Sequence, residues 1–335
     1  MDRKLDRAAV FLPMNLPLYS LALYAIAPSF MFENVAIRIS SVLEETLQIL
    51  IKILDLNVFL PNLFFPSVNR STFVEGFASV SNVIIFTGNY ENAEILNNKL
   101  FVDLFIYNGY GVNPIIVDRG CNIELATNKV LRARTFNSGQ DCDAPDIIFV
   151  SGEVEDSFTK SLINKLKVIG VGDYSSSNNV IGKLLSEAPI VNAEEIIADR
   201  RNNIVYGGNI DKTLKIVFPT VIKTNIDQSE DPQELFCPIF YISVYKNLEQ
   251  VKNLLSTDRY ADFAMYLSYF GAKKNIKFKN TITLYDKIFE DVDDGCKPFG
   301  GFGPKANFVS INGKKHIRPI LVNKEIVDYI NMLNK

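Results

Sequence analysis

Tryptophan is absent from this 335-residue chain, and His316 is its only histidine. A lone imidazole excludes a metal centre built from several histidines, and no pair among the four cysteines has C-x-x-C spacing. Four cysteines in so long a chain make no disulfide framework either. There is no basic excess: 35 Lys and Arg stand against 38 Asp and Glu, a formal net charge of -3. Nucleic-acid binding, which needs basic charge gathered on one face, is thereby disfavoured. No internal repeat is visible. What the chain does have is apolar mass, 47% hydrophobic residues against 22% charged ones. That suits two interlocked domains, at roughly 150 residues per domain. A reduced, soluble, cytoplasmic α/β protein is the reading, with the many Asn, Lys and Ile residues treated as genome composition.

One stretch competes with that reading. Residues 8–32 carry no charge over 25 positions, long enough for a membrane span, and the charged start before them imitates a signal sequence. Within the run, however, FLPMNLP places Asn15 between Pro13 and Pro17, which breaks a helix and would leave a polar group unsatisfied in lipid. A buried strand over 8–12, a tight turn and a buried helix over 18–29 fit better, with a signal anchor as the alternative.

Downstream, β-branched and apolar runs at 35–40, 81–88, 112–118, 146–150, 215–222 and 240–245 read as strands. Helical spacing at 43–54, after 88, around 158–166 and over 248–255 supplies the crossovers. Strands alternating with helices imply parallel βαβ units covered on both faces. Segments 175–179, 227–233 and 291–295 read as surface loops, and the charge run at 273–280 as a solvated face.

The most informative stretch is FNSGQDCDAPD, residues 136–146. A cysteine after Asn-Ser-Gly-Gln sits in a small-residue turn where the backbone can approach a substrate closely. Alone, such a cysteine is more often a buried small hydrophobe than a nucleophile. The segment resembles the nucleophile motif of the aldehyde dehydrogenase superfamily (Phe-x-Asn-x-Gly-Gln-x-Cys), and other segments follow the family's order. FLPMNLP resembles its Pro-Trp-Asn-Phe-Pro turn, and FTGN at 86–89 its Phe-Thr-Gly-Ser nucleotide turn. ELFCPIF at 234–240 resembles Glu-Ile-Phe-Gly-Pro, and KPFGGFG at 297–303 resembles Pro-Phe-Gly-Gly. Typical members carry a long segment before the first of these turns, and this chain begins at it.

The resemblance implies an aldehyde-dehydrogenase-like α/β fold. A Rossmann-like NAD(P)-binding domain would span 1–107 and a catalytic α/β domain 108–312. A C-terminal strand at 318–322 would lie in a 313–335 tail. It makes Cys142 the nucleophile, since a thiolate adds to carbonyl or thioester carbon without a metal. Asn15 becomes an oxyanion donor, where a plain Asx-turn is the alternative. Glu234 would hold the nicotinamide ribose with Phe236 beside it, a helix-start acid and a core aromatic being the bland readings. Thr87 and Gly88 would admit the cofactor at a strand end. A homodimer is in keeping with the family.

Departures from the pattern refine the expectation. The family's Glu-Leu-Gly-Gly-Lys-Asn-Pro aligns with NGYGVNP, so the base that hydrolyses the acyl-enzyme is Asn108 here. An amide takes no proton from water, and a positioned base contributes about 10²–10⁴-fold. A thiol acceptor such as CoA or a carrier protein needs that base less. The expectation is therefore an NAD(P)-dependent acyl-thioester reductase or CoA-acylating aldehyde dehydrogenase acting on an aldehyde or acyl thioester. A hydrolytic aldehyde dehydrogenase, with Asp143 or Glu234 as substitute base, and a non-catalytic relative remain the alternatives. The family's Lys-Pro-Ser-Glu aligns with Arg38, Ile39, Ser40 and Ser41, which removes an acid from the adenosine site. Arg38 can pair with a 2′-phosphate, which tilts the choice between NAD and NADP towards NADP. Ala93, in place of a family glycine, is expected to narrow the pyrophosphate approach.

Overall fold

The computed structural model describes residues 4–228 and 234–334, so most of the loop read at 227–233 lies outside the described residues. The chain divides into two compact units. The first comprises Met1–Tyr110, Asp294–Gly300 and Pro304–Lys335, and the second Gly111–Asp293 with Gly301–Gly303.

The first unit is built on a seven-stranded sheet. Its order is Lys314–His316, Asn307–Ile311, Leu104–Asn108, Val83–Thr87, Leu5–Phe11, Phe32–Arg38 and Leu63–Phe64. The five N-terminal strands pair in parallel and the two C-terminal ones antiparallel. Alternation along each strand divides the core in two. Val83, Ile85, Val10 and Ile37 face one apolar cluster, whereas Ile84, Phe86, Ala9 and Phe11 face another. Helix Glu44–Ile53 seals the first cluster through Leu47 and Ile51.

The uncharged run thus resolves into a strand and the helical stretch Pro17–Ser29, which contains a π segment at Ala22–Ile26. No described helix is long and apolar enough to cross a membrane. The C-terminal strand expected at 318–322 does not form: Ile320 makes only an isolated bridge to Phe299, and Val322 opens the helix Val322–Leu333. Its place is taken by Asn307–Ile311, whose pairing with Leu104–Asn108 returns the chain to the first unit's sheet, so the second unit stops short of 312.

The second unit carries its own seven-stranded sheet. The order is Ile204–Tyr206, Thr220–Asn225, Ile239–Tyr245, Ile148–Ser151, Ile115–Val117, Tyr266–Phe270 and Ile282–Tyr285. Every pairing is parallel except that of the first two strands. The single strand expected over 215–222 is two, Ile216–Val217 and Thr220–Asn225, because the chain breaks at Phe218–Pro219. Asparagines treated as compositional have structural work to do. The side chains of Asn69, Asn89, Asn122 and Asn247 cap four helices by accepting from backbone N–H groups at 2.9–3.1 Å.

Candidate active site

In the second unit, helix Ile123–Thr135 runs directly into the FNSGQDC turn. Asn137 and Ser138 both take left-handed backbone angles (φ 47° and 59°), unusual for non-glycine residues and stored only where the surroundings hold them. Those surroundings are visible. The Asn137 amide donates to the Gln140 carbonyl and the Gln140 amide to that of Asn137, each at 3.1 Å. Ser138 Oγ lies 2.5 Å from the Tyr174 hydroxyl and accepts from Gly182 N at 2.9 Å. Gly139, at φ +78°, packs so closely that a Cβ there would lie 2.7 Å from the Cys237 carbonyl. Only glycine fits at that position.

Two further residues fasten the turn from elsewhere in the chain. Asn113 donates to the Cys142 carbonyl at 2.8 Å and accepts from Tyr266 N at 3.2 Å. Arg134, fully buried, reaches Asp146 at 3.4 Å and the Cys237 carbonyl at 2.5 Å. Asp146 also accepts from Leu235 N at 2.9 Å, tying the 234–237 segment to the turn. Sequence reading missed Asn113, Arg134 and Asp146 as supports. The only available signal was the NP dipeptide of NGYGVNP, which the resemblance covers.

The Cys142 thiol, half-buried, donates to Asp141 Oδ1 at 3.6 Å and to Asp143 Oδ2 at 3.9 Å. Burial, then the charges of Asp143, Asp141 and Glu234, push it well above the ordinary thiol value. Burial likewise raises both neighbouring carboxyls. It lifts Asp146 to about 6 against the pull of Arg134, and Glu234 to about 8 with help from Asp146. The turn therefore favours protons on sulfur and carboxyls alike, and a proton must leave before the sulfur can attack. Phe236 next to Glu234 also has a left-handed backbone (φ 51°).

In the first unit, the predicted cofactor residues divide. Arg38 and Ser41 line a cavity of about 400 Å³ together with Glu44, Ser67, Asn69 and Arg70. Ser40 does not line it; its carbonyl accepts from Leu43 N at 2.9 Å. Arg38 Nε is buried without a hydrogen-bond partner, and burial followed by the nearby Arg70 charge lowers the Arg38 pKa. Two guanidinium groups around one opening, one with an orphaned N–H, suit a phosphate. Glu44 is the countervailing acid, and it is engaged by the Ser67 hydroxyl. Arg70 escaped sequence reading because it lies 32 residues from Arg38, with no local pattern linking them.

Thr87 ends a sheet strand in register with Asn108, and its buried hydroxyl has no partner. Gly88 follows, where a Cβ would lie 3.1 Å from the Phe86 ring. Asn108 is 2% exposed, and its side-chain oxygen, buried and unpartnered, belongs to a residue lining a small cavity with Tyr19, Leu23 and Lys297. Asn15 sits half-buried in the bend before helix Pro17–Leu21. Ala93 does not act as expected: its methyl is fully buried in the cluster of Phe86, Leu96 and Phe105, taken up by the core.

Comparison with known proteins places this geometry in a class. The model of the aldehyde dehydrogenase family matches residues 7–269. The chain belongs to the aldehyde dehydrogenase family.

Among its relatives, the lactaldehyde dehydrogenase of Methanocaldococcus jannaschii is 24% identical, over 72% of this chain and 54% of that protein. The dimeric NADP-preferring aldehyde dehydrogenase of Canis lupus familiaris is 25% identical, over 65% and 49%. The chain thus spans about half the length of these relatives. The fold matches that of the glyceraldehyde-3-phosphate dehydrogenase GapN of M. jannaschii, a structure complexed with NADP. The TM-score is 0.74 at 20% identity, over 95% of this chain and 74% of that one.

Proposed function

We propose that this chain is an NAD(P)-dependent oxidoreductase of aldehydes that works through a thioacyl intermediate on Cys142 and passes the acyl group to a thiol acceptor. The observation that carries the reading is the FNSGQDC turn, whose two left-handed residues are held by three side-chain networks so that one half-buried thiol is presented. In the oxidative direction the sulfur adds to the aldehyde carbon, and NAD(P), when bound, would supply the hydride acceptor. Cys142 then holds an acyl thioester. Asn108, where the family has a glutamate, supplies an amide that cannot deprotonate water, so an incoming thiolate is the better acceptor. Asn15 as oxyanion donor and Glu234 with Phe236 at the nicotinamide ribose belong to the same proposal. So does a cytoplasmic setting with CoA or a carrier protein as partner, and so does a homodimer.

On the cofactor side, Arg38, Ser41 and Arg70 favour NADP through the 2′-phosphate, while Glu44 leaves room for NAD. The hydrolytic reading is kept by a specific observation: Asp141 and Asp143 touch the Cys142 thiol and could activate water in place of the missing glutamate. The lactaldehyde dehydrogenases among the relatives are named for an aldehyde.

The test is purified protein with NADP and a panel of short hydroxyaldehydes and aliphatic aldehydes, with and without CoA, read as NADPH absorbance and as product mass. CoA-dependent acyl-CoA formation is expected. Free acid formed at the same rate without any thiol would reverse the choice of acceptor. Cys142→Ser should lower the rate by roughly 10³ or more.

A further inference from the structure

Among the described residues, a carboxyl lies beside the Cys142 thiol and a small cavity lies beside that carboxyl. Asp143 is 9% exposed, and while its Oδ2 lies 3.9 Å from the sulfur, its Oδ1 is buried with no hydrogen-bond partner. A buried carboxylate oxygen left unpaired is costly, and it marks a place where a water or a proton is expected. Asp143 lines a cavity of about 10 Å³ with Asn113, Tyr266, Ser268 and Glu290. By the same measure one water needs ~10–15 Å³ and two to four polar partners, and this cavity supplies them. Glu290 is half-buried, which puts the far end of the path within reach of solvent. Asp141 lies closer to the sulfur, at 3.6 Å, but it is engaged by the Asp143 backbone N–H and does not line the cavity.

We propose that Asp143, once its own proton has left through the cavity to Glu290, accepts the Cys142 proton as the sulfur attacks. The step balances: the sulfur lone pair forms the S–C bond and the carbonyl π pair moves onto oxygen. The S–H proton passes to Asp143, then through one water to Glu290 and bulk solvent. Groups facing this route are Asp141 and Asp143 from the turn, and Glu234 and Asp146 from the segments beside it. Arg132 and Arg134 face it from the preceding helix, and Glu290, Asp291 and Asp293 from the 288–293 stretch. Burial, with the charge of Asp141, holds Glu290 at about 7, a value suited to exchanging protons with neutral solvent. The inference deepens the proposed Cys142 chemistry and rests on that sulfur being the nucleophile.

The test uses p-nitrophenyl acetate, which acylates a thiol with no cofactor, read as nitrophenolate release and as the mass of Cys142 in the whole chain. At pH 7 the Asp143→Asn protein should acylate ten- to a hundredfold more slowly than the parent, and Glu290→Gln several-fold more slowly. Near pH 10, where hydroxide removes the proton directly, the differences should shrink to within about threefold. Asp143→Glu should recover part of the rate. A merely electrostatic role predicts the opposite sign, since removing a carboxylate beside the thiol lowers its pKa and speeds acylation at pH 7. An Asp143→Asn rate equal to or above the parent's would overturn the relay. If Asp143→Asn does not fold, the half-buried Glu290→Gln decides, and an unchanged rate there overturns it. Acylation of the parent with no NADPH from any aldehyde would sink the oxidoreductase reading and leave the relay standing. A parent protein whose Cys142 is never acylated sinks both.

Discussion

The two units bury charge in opposite ways. In the first, two arginines, Arg38 and Arg70, stand around an open cavity of about 400 Å³ with one acid already engaged by a serine. In the second, Asp141, Asp143, Asp146 and Glu234 crowd one turn around a single buried cation, Arg134. At the open cavity a partly desolvated arginine pair leaves an N–H without a partner. Charge crowded in a closed turn is relieved by taking up protons. Desolvation thus acts in both units, on an arginine pair in one and on carboxyls in the other.

The largest effect that would break this contrast is on the cationic side. Arg38→Ala should weaken NADPH binding by roughly ten- to a hundredfold while changing NADH binding much less, measured by fluorescence titration of the two cofactors. Equal losses for both would mean that the cavity does not read the 2′-phosphate.

A smaller effect tests how tightly the acidic turn is built. Gly139→Ala places a methyl 2.7 Å from the Cys237 carbonyl at a positive φ, and should cost about 2 kcal/mol, visible as a lower urea midpoint. A neutral result would mean the turn can open without penalty.

The smallest expected effect concerns protons. The Glu234 carboxyl is raised in the folded state to about 8 from its ordinary 4.5. The stability it confers is complete below 4.5 and is lost as pH rises through 8, because the unfolded chain gives up its proton first. Tm should fall by roughly 3–6 °C between pH 5 and pH 9. Glu234→Gln should flatten that fall, and a profile as steep as the parent's would place the stored proton elsewhere.

Much of the site was legible before any coordinates. FNSGQDC singled out the thiol proposed as nucleophile through its resemblance to the family motif, and Gly139 meets the demand of its turn for close backbone approach. Arg38 was legible through the resemblance, because it stands where the family's Lys-Pro-Ser-Glu begins. Arg70, Asn113 and Glu290 were not, since each acts on a partner tens to well over a hundred residues away and carries no local pattern. Ala93, expected to narrow the pyrophosphate approach, lies fully buried in the core cluster of Phe86, Leu96 and Phe105.

The order of residues by itself determined the alternating strands and helices and the proline turn that breaks the uncharged run. Those are consequences of local periodicity and steric limits, which act over a few residues. Only the tertiary structure decided that strand Asn307–Ile311 closes the first sheet, and that Asp143 keeps a free oxygen over a water-sized cavity. It also brought a second arginine, Arg70, to the cavity that Arg38 lines. Such features depend on which distant groups share a desolvated space, and burial, unlike periodicity, is a property of the packed chain.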